Sequence, residues 1–309
     1  MAKRKKKGHV AIPFLVALLI GILVIGGIAM YLFRLIGLND VNVVPMKESI
    51  VVPTESDNMT LLFVLDEEND PKPVTILVAR VLPAEKKIVL LSFPSNMLCA
   101  LDGHTDTLAG YYTSGGINTL KNAIQTESGI VVDRYMILDS EAFQKICNIY
   151  TGVYYTVPSG TKGFSDSAEP QYLGPGQMEK LVTYPFFTRG ETERSAVVAD
   201  IICEMINQTD HDRIVSSMDN NFKILVNMAD TDITSIDYSN ERTALKYLYT
   251  YGKRIASFRI ATGTSGEEDE DVFLLKSDFY RTVEDVFGTP GATAAPPAEG
   301  ETDGENGEE

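Results

Sequence analysis

Two hydrophobic patterns divide the chain. From Val10 to Phe33 no residue is charged. At about 1.5 Å rise per residue, a helix of that length covers the roughly 30 Å hydrocarbon core of a bilayer. Beyond Met59 the apolar residues come instead in short runs with strand or helix periods. Leu61 to Leu65, Thr75 to Val81 and Lys87 to Phe93 are rich in branched residues and bounded by Pro or charge, which predicts strands. Ile117, Leu120 and Ile124 keep a helical spacing, with Gly129 as a C-cap. Tyr135 to Leu138 predicts a strand. Ser140 then caps a helix carrying Phe143, Ile146, Cys147 and Tyr150, closed by Gly152. Val153 to Val157 returns as a strand. Glu193 to Asn207 carries the clearest helical stripe, from Val197 and Val198 through Ile201 and Ile202 to Met205 and Ile206. Helices near Phe222 to Met228, Ala244 to Tyr251 and Ser277 to Phe287, with a strand at Ile255 to Ala261, complete the series. This interleaving predicts an α/β domain, a central mixed sheet covered by helices on both faces, preceded by one transmembrane helix.

Charge orients that helix. Lys3-Arg4-Lys5-Lys6-Lys7 stands before it, and only Arg34 and Lys47 follow soon after. The positive-inside rule keeps the N-terminus in the cytosol and sends the rest across the cell membrane. A cleaved signal peptide is the competing reading. Signal h-regions run about 7–15 residues, and this stretch is longer and continues into Tyr31-Leu32-Phe33-Arg34. The expected organisation is a cytosolic basic segment (1–9), a transmembrane anchor (10–36), a stalk (37–58), one extracytoplasmic domain (59–288) and an acidic tail (289–309). The tail has too few apolar residues to fold.

Composition then removes whole classes of function. With 43 acidic against 27 basic residues the net charge is −16, so no nucleic acid is expected as a partner. Cys99, Cys147 and Cys203 are odd in number and show no paired framework. Buried free thiols are the simpler reading, and one disulfide stays open for an exported domain. Ser159-Gly-Thr-Lys162 matches a Ser-x-x-Lys nucleophile motif, but one such match is expected by chance. Glu267-Glu-Asp-Glu-Asp271 lacks the spacing and turn glycine of a Ca²⁺ loop and reads as solvated.

One ordered set of motifs points further. Val78 to Met97 reads as two strands joined by Pro83-Ala-Glu-Lys86 and ends in Leu91-Ser-Phe-Pro-Ser-Asn96. It resembles the signature segment of the LytR–CpsA–Psr family, whose second strand leads into Leu-Ser-Ile-Pro-Arg-Asp. Thr105-Asp106 with Tyr111-Tyr-Thr-Ser-Gly-Gly116, then Val131 to Asp139, Leu173-Gly-Pro-Gly-Gln177 and Gly190-Glu-Thr-Glu-Arg194 resemble later family motifs in the family's order. Members move anionic glycopolymers from a polyprenyl-pyrophosphate carrier to peptidoglycan. The resemblance implies a deep apolar groove for the lipid, arginines around the pyrophosphate and carboxylates holding Mg²⁺. Carried over residue by residue, Asp66 fits the first carboxylate and is the metal candidate. Lys72 stands where the family has arginine, and Arg194 matches directly, so these two are the phosphate-binding candidates.

The departures are many. Val74 replaces a carboxylate, Ser95 and Asn96 an Arg-Asp, Thr107 and Ala109 a Lys and an Asn, Thr183 and Pro185 two arginines, and Val197 and Val198 an Arg-Gln. Each lost oxyanion donor commonly costs about 3–4 kcal/mol of transition-state stabilisation. The expectation is therefore a membrane-anchored module of cell-envelope polymer assembly that binds lipid or glycopolymer without catalysis. Its partners would be the membrane and a polyprenyl-linked glycan or peptidoglycan, with Mg²⁺ needed only if activity remains. A divergent active phosphotransferase and a surface interaction protein without a lipid ligand are the alternatives. Each candidate also has a plain structural reading. Arg194 pairs with Glu191 or caps its helix, Asp66 starts a loop, and Lys72 lies on the surface. An open groove favours lipid binding, and a filled one favours the interaction protein.

Overall fold

The computed structural model describes residues 50–66, 73–265 and 272–288. The expected anchor, most of the stalk, Lys72, the acidic run at 267–271 and the tail lie outside them. In chain order the elements are β1 (Met59–Asp66), β2 (Pro73–Leu82), β3 (Lys87–Phe93), β4 (Leu98–Leu101), β5 (His104–Thr107), α1 (Leu108–Ser128), β6 (Arg134–Leu138), α2 (Ser140–Tyr150), β7 (Val153–Tyr155), β8 (Gln171–Leu173), α3 (Pro175–Val182), α4 (Gly190–Gln208), α5 (His211–Met228), β9 (Asp230–Thr231), α6 (Ser235–Tyr251), β10 (Ala256–Ile260), β11 (Gly263–Ser265), β12 (Phe273–Leu275) and α7 (Asp278–Phe287).

Six strands form one mixed sheet in the order β10-β3-β2-β1-β6-β9. β2 runs antiparallel to β1 and β3, while β6 is parallel to β1 and β10 is parallel to β3. Strand side chains alternate between faces, and here both faces are covered by helices. Leu62 and Val64 of β1, Ile76 and Val78 of β2, and Leu91 and Phe93 of β3 face α1 and α7, where Leu120, Ile124, Phe279 and Val283 meet them. Leu61, Phe63, Leu65, Leu77, Ala79, Ile88 and Leu90 face the other way, towards α2 and α4 to α6.

Local chemistry sets the helix ends. The Thr107 hydroxyl accepts from Gly110 N at 3.0 Å to start α1, and Gly129, at φ +77°, ends it. Within α1, Gly116 at φ +68° breaks the helical geometry, a conformation that glycine adopts without strain. The α2 cap falls one residue earlier than expected. Asp139 rather than Ser140 accepts, from Ala142 N at 2.7 Å. α5 and α6 begin well before their apolar stripes, because Asp210 caps the first and Thr234 with Asp237 forms a capping box on the second. All three cysteines are buried and free. Burial pushes the Cys99 and Cys147 thiols up to about 12 and that of Cys203 to about 11, so none is a ready nucleophile.

Candidate functional site

At one end of the sheet, loops and helix starts converge around Arg194. β3 ends at Phe93, and Pro94 turns the chain so that Ser95 meets the first turn of α4. The Ser95 N–H and hydroxyl both donate to Glu191 Oε2, at 3.2 and 3.0 Å. Arg194, one turn further along α4, donates from Nε and Nη2 to the two Glu191 oxygens at 2.6 and 2.7 Å, a bidentate pair. Its Nη1 donates to Thr75 Oγ1 of β2 at 3.1 Å and to the Val182 carbonyl at the end of α3 at 2.9 Å. Every guanidinium nitrogen therefore serves an acceptor of the chain itself, and Arg194 is only 3% exposed. Burial alone pushes the Glu191 carboxyl up, but Arg194 and Ser95 outweigh it and hold the group below the usual carboxylate range.

The other sequence-selected residues divide. Asp66, at the end of β1, lies at the same end of the sheet, since its neighbour Leu65 pairs in register with Thr75. Its Oδ2 accepts from the Tyr112 hydroxyl of α1 at 3.0 Å, and burial followed by this bond raises the Tyr112 pKa. Arg194 and Asp66 thus lie at one end of the sheet but are held by different helices. Thr183 ends α3, its hydroxyl donating to the Glu179 carbonyl at 2.9 Å. Val197 and Val198 are buried in the core against α2 and α3. Thr107 is spent as a helix cap, and Ala109 N donates to the Ser95 carbonyl. Ser159 to Lys162 forms a turn, with the Thr161 hydroxyl on the Pro158 carbonyl at 2.6 Å.

A Mg²⁺ ion of the kind the family motifs imply would take hard carboxylate oxygens. Among the described residues no group of three or more His, Cys, Asp or Glu side chains could hold a metal. Position 74, where a second carboxylate belongs, is valine. The described residues do not assemble the donor set that such an ion takes.

Beside this end opens a cavity of about 560 Å³ between the sheet and helices α2, α4, α5 and α6. Leu61, Phe63 and Leu65 of β1, Leu77, Ala79 and Val81 of β2, Ile202 and Met205 of α4 and Leu225 of α5 line it. Thr75 and Val182, the Arg194 partners, line one end. Asn58, Asp133, Arg134, Asp237, Asn240 and Glu241 line the other. The six-residue step from Met59 to Leu65 makes the length about 20 Å at ~3.3 Å per residue. At the far end, Arg134 grips Asp237 with Nε and Nη2 at 3.1 and 2.7 Å.

Sequence reasoning located Arg194 and its i+3 partner Glu191, whose spacing signals an intrahelical pair. It missed Ser95 as a donor to Glu191, Tyr112 as the partner of Asp66 and the polar far end. The first two contacts join residues 96 and 46 apart, and no local pattern announces them.

A mixed sheet filled on one face and hollowed on the other defines the class, a three-layer α/β domain with an apolar cavity between sheet and helices. The model of the LytR_cpsA_psr family matches residues 54–278, and the chain belongs to this family. Solved structures share the fold. A protein from Eubacterium siraeum described as a transcription regulator aligns with TM-score 0.68 at 18% identity, over 80% of this chain and 98% of its own. TagV of B. subtilis aligns with TM-score 0.60 at 17% identity, over 75% of this chain and 96% of its own. TagT of B. subtilis aligns with TM-score 0.57 at 15% identity, over 74% and 89%, and TagT has also been solved bound to LI-WTA. A search of curated proteins finds no match.

Proposed function

We propose that this chain is a membrane-anchored, extracytoplasmic lipid-binding module of cell-envelope polymer assembly, without the transferase chemistry of its family. Family membership relates the domain to cell-envelope glycopolymer transfer. The apolar cavity carries the finer reading. The cavity of about 560 Å³ is partly open to solvent and leaves a mostly apolar wall between sheet and helices uncovered. Water filling such a space would face apolar side chains on most sides. The space supports a built site for a hydrocarbon chain, which area burial alone stabilises at about 25 cal/mol per Å².

The loss of chemistry rests on the end beside Arg194. Its nitrogens are engaged by Glu191, Thr75 and Val182, and the described residues hold no metal-binding cluster. Positioned donors are the largest catalytic term for a phosphoryl group, and valine, serine and threonine at the substituted positions do not replace them. The test uses the full chain in lipid nanodiscs with Mg²⁺ and a polyprenyl-pyrophosphate glycan. A fluorescent long-chain probe should bind saturably, and no polyprenyl phosphate should be released above background. Turnover that disappears in Arg194→Ala or Asp66→Ala would instead establish an active transferase.

A further inference from the structure

We infer that the loop joining α3 to α4 is a wedge that seats on an anionic bilayer surface. This rests on the proposed placement of the chain at a membrane and adds a second contact, made by the folded domain itself. Tyr184 and Phe187 of the loop are buried, and their rings meet edge-on with centroids 5.1 Å apart. Phe186 is 78% exposed and meets the Tyr184 ring edge-on at 5.9 Å. Pro185 fixes the backbone just before it. The exposed ring therefore stands on a buried base. Unlike the exposed Tyr154 and Tyr172, it has no polar atom to share with water.

Two cations accompany the ring. The Lys162 backbone N–H donates to the Tyr184 hydroxyl at 3.1 Å, which places Lys162 beside the tyrosine that carries Phe186. Lys180 Nζ lies 5.5 Å from the centroid of Phe164, two residues beyond Lys162. Both lysines are exposed. Neither forms an ion pair among the described residues, Asp166 and Glu169 of the same segment included. Arg189 is left out, because Glu193 faces it at 3.8 Å. An anionic bilayer surface offers a partner to each part, phosphate headgroups for the lysines and acyl chains beneath them for the ring. A soluble polyanion would engage the lysines and leave Phe186 in water. The loop also leaves α3 directly after Val182, which lines the Thr75 end of the cavity. A wedge there brings the acyl layer close to the space proposed for a lipid chain.

The experiment places a reporter beside the ring. The native cysteines are buried, so Thr188→Cys, at an exposed position, takes an environment-sensitive dye selectively. The labelled full chain is put in nanodiscs of phosphatidylcholine, with or without phosphatidylglycerol, that carry quenchers at acyl depth. Quenching should be strong in the anionic discs and should fall as salt rises. Lys162→Gln and Lys180→Gln should each lower the ratio of docked to undocked dye about fivefold. Phe186→Ser should abolish the quenching and Phe186→Leu should keep it. Absent quenching in anionic discs would overturn the inference, as would quenching that Phe186→Ser leaves unchanged. Soluble polyglutamate that shifts the dye as strongly as the discs do would reassign the patch to an acidic polymer and overturn it too. Failure of the chain to enter nanodiscs would instead deny the membrane anchor. Anionic vesicles added to that chain then test the wedge alone, and a dye they leave unquenched would overturn it.

Discussion

The two faces of the central sheet are built from the same strands and end in opposite ways. On the α1 side, Leu62, Val64, Ile76, Val78 and Phe93 are all 0% exposed, and Phe93 packs edge-on against Phe279 at 6.0 Å between centroids. On the α4 side, Leu61 and Phe63 remain half-buried and face the cavity. Strand periodicity is equal on both faces, so the difference lies in the covering helices. α1 and α7 bring large side chains down onto the sheet. On the other face the space over β1 and β2 is ringed by α2, α4, α5 and α6 and left unfilled. One face therefore supplies stability, and the other has exchanged part of it for a space.

The largest expected effect follows from that contrast. Phe93→Ala should cost about 3–5 kcal/mol, since it leaves a closed void in a packed layer. Phe63→Ala, at a half-buried ring whose neighbour is already open space, should cost about 1–2 kcal/mol. Urea unfolding of the two variants checks this. Equal losses would mean that the α4 face is as closely packed as the other.

Enlarging a small residue reverses the ranking. Ala123 of α1 is 0% exposed within the filled core, and Ala79 of β2 lines the cavity. Ala123→Leu should overpack and cost about 1–3 kcal/mol. Ala79→Leu has room for its extra carbons, so its stability should change by less than about 1 kcal/mol or rise slightly. It should also weaken binding of the long-chain probe, which the Ala123 variant should leave intact if it still folds. Probe binding unaffected by Ala79→Leu would place the ligand elsewhere.

The filled face was legible in the residue pattern, whereas the hollow was expected only through the family resemblance. Alternation in Leu61 to Leu65 and Lys87 to Phe93 marks two buried faces without saying how far the opposite layer stands off. Runs of three or four residues escaped as well. β5 is His-Thr-Asp-Thr, polar and exposed over its first half, and β8 is three residues between Pro170 and Gly174. The helix starts at His211 and Ser235 were hidden by polar first turns, although their caps were readable in principle. At the site, Glu191 and Arg194 sit three apart on one helix and could be paired from sequence. Ser95 follows β3 and Thr75 lies on β2, and only the fold brings the first to Glu191 and the second to Arg194.

The smallest effect compares two carboxylates through pH, Glu191 beside Arg194 and Glu241 at the far end of the cavity. Glu191 has a folded pKa below its ordinary value of 4.5, and Glu241 one above its own 4.5. For Glu191 the unfolded chain binds the proton more readily. Its contribution to stability is therefore present above about pH 4.5 and is lost as pH falls through the lower folded value. Glu241 is raised by burial first and by Asp57 and Asp237 next, so the native state holds its proton more tightly. That contribution is present below about pH 4.5 and is lost as pH rises through the higher folded value. Glu191→Gln should flatten the acid limb of the stability curve and lower stability at neutral pH. Glu241→Gln should raise stability at neutral pH and leave the acid limb in place. Denaturation midpoints measured from pH 3 to pH 7 separate these outcomes. Two curves shifted in the same sense would mean that the carboxylates share one environment, and the electrostatic difference between them would have to be abandoned.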